Sequence, residues 1–322
     1  VFEKSMFVFK SPGQGLQPNN IELLIGRVSN RFIDQGTFFY RSDLESVVVR
    51  KDKYLFNRPY GIPVRYHDFK SLSSAVKLDF VEFHLSYQDL SLKPSDFIAK
   101  QDSLSFTVHA PELFEGDHIL DLCSLDDNYR QVSISNLNKV IDHCALITEC
   151  FPDDKSPPIL VLNAGGWNQN GFIEPAKKDR LYGILQDSLA KVKTDRVQLA
   201  IQTMPPFPWH FGGQSYHNLF VNPKEIREFC ELTNQKICLD ISHSMMACSY
   251  FGWSLDTFID EIGDHVIYLH VVDALGFDGE GIQIGEGDVN FTKLAKTLNS
   301  SCSNAPFIPE VWQGHKDDGA GF

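Results

Sequence analysis

Four polar residues, Gln202, Asp240, His270 and Glu310, each end a short apolar run, and 30 to 40 residues separate one from the next. The runs are VQLAIQ, KICLD, VIYLH and PFIPE. Each is built from aliphatic and β-branched residues and gives way to loop residues, the pattern of a buried strand. An amide oxygen, two carboxylates and an imidazole are donors that suit a divalent cation such as Zn, Mn or Mg. They can share one ion only if the fold gathers four strand ends. A (β/α)8 barrel does this, because the C-terminal ends of its parallel strands open on one face. His243 follows Asp240 by three residues, and it either faces that mouth or caps the next helix.

The elements needed to position these residues are legible. Strand candidates are GIPVRYHDF (61–69), LDFVEFHL (78–85), LSFTVHA (104–110), PILVLNA (158–164), VQLAIQT (197–203), KICLDIS (236–242), VIYLHVVD (266–273) and PFIPEVW (306–312). Stretches with helical spacing lie between them, among them VSISNLNKVIDHCALITECF, RLYGILQDSLAKVK, PKEIREFCEL, LDTFIDEIG and FTKLAKTLNS. Eight strands with seven intervening helical stretches predict a (β/α)8 barrel over 60–322, and an open doubly wound sheet is the alternative. The sequence stops ten residues after Trp312, so no eighth helix is expected. Residues 1–46 hold short strand-like runs, Gly/Pro turns and one helical stretch, NNIELLIG, and 47–59 read as a connection.

Composition narrows the partners. The formal charge of −13 opposes a phosphate backbone, so nucleic acid is not expected. No apolar run has the length to span a bilayer. Seven cysteines without a CxxC pair suggest a reduced, cytoplasmic protein without cysteine-bound zinc. The Gly-rich GIQIGEGD (281–288) lacks the Lys-Ser/Thr of a phosphate-binding P-loop.

The stretches FTVHAPELF (106–114), CLDISH (238–243), LHVVDA (269–274), GIQIGEGDVNF (281–291) and PEVWQGH (309–315) resemble the sugar phosphate isomerase/epimerase superfamily. That superfamily shares its barrel with xylose isomerase and endonuclease IV. The resemblance implies metal ligands at Gln202, Asp240, His270 and Glu310, with Gln202 standing where Glu is usual. It also implies that His109, in VHAPE, contacts metal or substrate. Glu82 and Glu112 are placed to bind a substrate hydroxyl, Asn163 to contact substrate, and Arg65, His67 and Asp68 end the first strand. Trp209, in the aromatic loop 204–218, either walls a sugar site or packs over the mouth. The 281–288 loop would offer backbone amides to a substrate oxyanion. Separately, SPGQGLQPNNIELLIGRVSNRFIDQGTFF resembles the end of the small antifreeze-like (SAF) domain of sialic acid synthases. The Arg that reaches a neighbouring subunit's substrate in that family is Ser11 here, beside Lys10.

The resemblance implies a metal-dependent sugar or sugar-phosphate isomerase or epimerase of nonulosonic acid or surface polysaccharide synthesis, with a small-molecule sugar as partner. A homo-oligomer is compatible with it. Glu310 would be the base, assisted by His109 or His243. The alternatives are a lyase or dehydratase on the same barrel, or a non-catalytic sugar-binding module fused to a synthase.

Overall fold

The computed structural model describes residues 1–9, 16, 18–30, 32–39, 43–44, 56–75, 77–101, 103–152, 156–210, 213–315, 319 and 321–322. The chain divides into two units, Val1–Phe56 and Asn57–Phe322. In the first unit, 3-10 turns span Lys4–Met6 and Pro18–Leu23. The rings of Phe2, Phe7 and Phe39 cluster with centroids 5.0–5.7 Å apart. The strands expected in this segment are not found among its described residues, and Lys10 and Ser11 lie outside them.

All eight expected barrel strands form in the second unit. They are β1 (Gly61–Val64), β2 (Phe80–His84), β3 (Ser105–His109), β4 (Ile159–Leu162), β5 (Gln198–Gln202), β6 (Lys236–Asp240), β7 (Val266–Val271) and β8 (Phe307–Pro309). They pair in parallel in chain order. A parallel bridge between Tyr60 and Phe307 joins the last strand to the first. The Phe307 N–H donates to the Pro59 carbonyl at 3.1 Å across the same seam. The sheet is therefore a barrel and not an open doubly wound sheet.

Helices α1 (Phe69–Ala75), α2 (Asp127–Thr148), α3 (Pro175–Leu189), α4 (Pro223–Thr233), α5 (Ile241–Phe251), α6 (Leu255–Ile262) and α7 (Phe291–Ser301) connect the strands. Between β2 and β3 the described residues form only 3-10 turns, at Asp89–Ser91 and Pro94–Asp96. Local signals set the helix starts. Asp126 accepts from the Asn128 and Tyr129 N–H groups at α2, and Asn222 precedes Pro223 at α4. Helix α5 is unexpected from sequence spacing, because ISHSMMACSYF has no polar stripe and is buried along most of its length.

Residues two apart on a strand share a face. Phe80, Val161, Ala200, Cys238, Tyr268 and Ile308 form an apolar plug inside the barrel. Gly61 leaves room for the Phe80 ring, which a side chain there would strike. The residues two positions further along the same six strands are Glu82, Asn163, Gln202, Asp240, His270 and Glu310. A polar layer therefore lies directly above an apolar one, toward the C-terminal mouth. The outward faces, with Phe83 and Phe106 among them, join the larger core beneath the helices.

Two carboxylates shape the mouth loops. Asp273 is fully buried and accepts four backbone N–H groups, from Ala274, Gly285, Gly287 and Val289, at 2.9–3.0 Å. A Cβ on Gly287 would collide with this carboxylate and with the Ala274 carbonyl. Asp121 Oδ1 accepts from the Cys123 and Gly166 N–H groups at 2.9 and 3.1 Å. All seven cysteines are buried and free, and no described helix is long and apolar enough to cross a membrane.

Replacing Asp273 by Ala removes the acceptor of four backbone donors, two of them, Ala274 and Val289, buried. Unfolding free energy should fall by about 3 kcal/mol or more, since each bond to a charged acceptor contributes roughly 1.5–3 kcal/mol. A loss below about 1 kcal/mol in denaturant melts would contradict this. Burial pushes the Asp121 carboxyl up to about 6, against the opposing pull of its amide donors. A group raised on folding contributes stability that is full below its unfolded value near 4 and is lost as pH rises through about 6. Asp121→Asn keeps an oxygen acceptor and removes the buried charge. It should raise Tm at pH 7.5 and change it little at pH 4. A lower Tm at pH 7.5 would show that the charge itself is needed.

Candidate active site

The polar layer is a continuous network with His270 at its centre. His270 is fully buried at the end of β7. Its Nε2 lies 3.1 Å from Glu82 Oε1, and its Nδ1 lies 2.7 Å from Glu310 Oε2. Burial works against a charged imidazole, but Glu310 and Glu82 overcome it and hold the His270 pKa well above its usual value. Burial likewise opposes charge on Glu82 and Glu310, and the adjoining imidazoles hold both carboxyls well below the usual range. Glu82 accepts further from His84 Nε2–H at 2.7 Å and Thr107 O–H at 3.3 Å. Thr107 in turn lies 3.0 Å from the Tyr268 hydroxyl.

His109 ends β3. Its Nδ1–H donates to the Ala110 carbonyl at 2.9 Å, and its Nε2 lies 3.2 Å from Gln202 Oε1. The other end of the Gln202 amide lies 3.1 Å from both Asp240 Oδ2 and His270 Nδ1. One ligand atom each from His109, His270 and Glu310 lies within 4.8 Å of the others. As placed, Gln202 turns its amide nitrogen to Asp240 and its oxygen to His109. A divalent cation fits this arrangement: it would displace the proton from His270 Nδ1 and take the convergent lone pairs. The outer nitrogens already carry the support expected of metal-ligating histidines, a carbonyl for His109 and a carboxylate for His270.

Asp240 has two roles. Its Oδ1 accepts the His243 N–H at 2.9 Å and caps α5, while Oδ2 faces Gln202. His243 Nδ1–H donates to the Thr203 carbonyl at 2.8 Å, and Nε2–H to Glu280 Oε1 at 3.1 Å. Burial disfavours its charge, but Asp240 and Glu280 push its pKa up to about 10. His243 is therefore an imidazolium with both nitrogens engaged.

Some expectations need correction. Glu82 is fully buried with both oxygens occupied, so it stands behind the imidazoles and not in the mouth. In the 281–288 loop the Gly285 and Gly287 amides are not available to an oxyanion, because they donate to Asp273. Asn163 is buried, accepting from the Gly165 N–H at 3.0 Å and donating to the exposed Glu112 at 3.4 Å. Trp209 starts a short strand, Trp209–His210, and its side chain lies outside the described residues. Phe207 and Tyr216 of the same loop pack with Phe172 at 5.5 and 5.2 Å between ring centroids. His84, Thr203 and Glu280 are members of the network that sequence reasoning missed. Only His84 carried a signal: it sits two residues from Glu82 and so shares its face.

Comparison with known proteins agrees with this architecture. The xylose isomerase-like TIM barrel family profile matches residues 71–321. No curated protein matches the chain. Among solved structures, a D-tagatose 3-epimerase-like protein superposes with TM-score 0.55 at 16% identity, covering 81% of this chain and 93% of that one. A xylose isomerase domain protein from Planctomyces limnophilus gives 0.57 at 16%, covering 78% and 90%. Endonuclease IV from Thermus thermophilus gives 0.53 at 16%, covering 82% and 96%. At these identities the likeness is one of fold. The family profile spans nearly the whole barrel, and the chain belongs to the xylose isomerase-like TIM barrel family.

Proposed function

We propose that this chain is a metal-dependent sugar isomerase or epimerase. The observation that carries the reading is the convergence of His109, His270 and Glu310 within 4.8 Å. His109, His270 and Glu310 would hold the ion, with Gln202 and Asp240 adjoining. Two imidazoles weigh toward zinc over magnesium. A cation bound there would polarise a substrate carbonyl.

Glu310 is the base. Its side chain is 28% exposed, whereas Glu82 and Asp240 are buried at 0% and 1%. It alone of these three carboxylates combines access to substrate with contact to the cluster. It would take a proton from the carbon beside the carbonyl and return it to the neighbouring position. His243, held charged by Asp240 and Glu280, would donate to a substrate oxygen after parting from Glu280. His109 assists by orienting a hydroxyl. Glu112, Asn163 and Trp209 remain proposed substrate contacts around the mouth. The likeness of residues 1–46 to the SAF domain supports a place in nonulosonic acid or surface polysaccharide synthesis.

Gln202 favours one other reading. An amide cannot carry a proton, so one-base elimination by a lyase or dehydratase suits the site as well as two-base epimerisation. Analysis of products as isomer or dehydrated species separates them.

Glu310→Gln should lower kcat by about 10²–10⁴-fold, the usual contribution of a general base, when assayed at cation concentrations high enough to offset the loss of a ligand carboxylate. Turnover unchanged in this variant would remove Glu310 from the mechanism. Gln202→Glu adds a negative charge beside the cluster, so it should tighten cation binding by about tenfold. Weaker binding by titration calorimetry would show that the amide is the preferred neighbour.

A further inference from the structure

Beside the cation cluster lies a cavity of about 380 Å³, a size ordinary for small-molecule sites. Arg65, Asp68, His84, Glu310, Trp312 and His315 contribute to its lining. His84 and Glu310 also belong to the network around His270. The cavity and the cluster thus share Glu310, which lines the one and contacts His270 in the other.

Arg65 follows β1. Its Nη1 donates to the His84 carbonyl at 3.1 Å, which steadies the guanidinium, and no carboxylate among the described residues pairs with it. Asp68 is the nearest acid in sequence, but it is occupied. Its Oδ1 accepts the Arg65 backbone N–H at 2.6 Å, and its Oδ2 lies 3.6 Å from His67. Glu310 is turned to His270. The fork's remaining donors are thus left for a ligand in a protein whose net charge is −13. Such a fork matches the planar oxygens of a carboxylate or phosphate. Trp312, 51% exposed, adds a ring face of the kind that stacks on sugars. The next residue, Gln313, is held at φ +58°, a conformation unusual for a side-chain-bearing residue and common where loops are held for function.

We infer that this cavity receives an acidic substituent of the sugar, a phosphate or a carboxylate, with Arg65 as the residue that selects it. The inference rests on the sugar-isomerase reading for its frame and makes a separate claim about charge.

Titration calorimetry with D-glucose, D-glucose 6-phosphate and D-glucuronate on the full chain tests it, in metal-loaded and in chelator-treated protein. At least one acidic sugar should bind tenfold or more tightly than D-glucose, and which one does so separates phosphate from carboxylate recognition. Arg65→Met should abolish that advantage and leave D-glucose within about twofold. Arg65→Lys should restore part of it. Equal affinity for all three sugars in the unaltered protein, no detectable binding of either acid, or an advantage that survives Arg65→Met would overturn the inference. Cation uptake without charge preference would overturn it while leaving the metal site standing. A charge preference in the absence of cation uptake would support it against the metal reading.

Discussion

A carboxylate with no exposure to water, Glu82, sets the terms for the whole mouth of this barrel. A buried charge is stable only when it is paired and hydrogen-bonded. Glu82 meets that condition with two imidazoles and a threonine hydroxyl. It thereby fixes the ring of His270 and presents Nδ1 to Glu310. It fixes His84 in the same way, with the opposite nitrogen 3.9 Å from Glu310. The charge of one inaccessible residue thus orders two rings and, through them, the accessible acid.

The barrel makes this arrangement tolerable to the fold by stacking layers. An apolar plug fills the lower interior, and the polar residues stand one side-chain period above it. The polar residues are confined to the layer that the loops can reach, while the plug below them and the larger core beneath the helices supply the apolar burial. The loops are fixed by further carboxylates that take up backbone donors. Asp273 gathers the segment after β7, and Asp121 ties the approach to α2 to the turn after β4. These acids shape the surroundings of the site without entering it.

Much of this was legible in the sequence because strands have a period of two. VEFH, FTVH and VIYLH place Glu82 with His84, Thr107 with His109, and Tyr268 with His270 on single faces. Residues at strand ends could therefore be assigned to one mouth. What could not be read was which polar residue supports another. Glu82 and Glu310 occupy equivalent positions above the plug, yet one is sealed and the other is accessible, a difference made by packing across the barrel. Helix α5 escaped notice because a helix buried on nearly all sides has no polar face to give it a period. Asp273 escaped because a carboxylate's preference for its own loop amides depends on turns that spacing does not encode. Hydrogen-bond geometry also gave Asp240 both the helix-capping role common for its type and a place in the network.

The central claim is that the lone pairs of His109, His270 and Glu310 converge on a cation. Anomalous diffraction from crystals grown with zinc or manganese tests it directly. A peak about 2.0–2.3 Å from His109 Nε2, His270 Nδ1 and a Glu310 oxygen is the predicted result. Featureless density at that point with saturating metal, or a peak bound only by other residues, would contradict it.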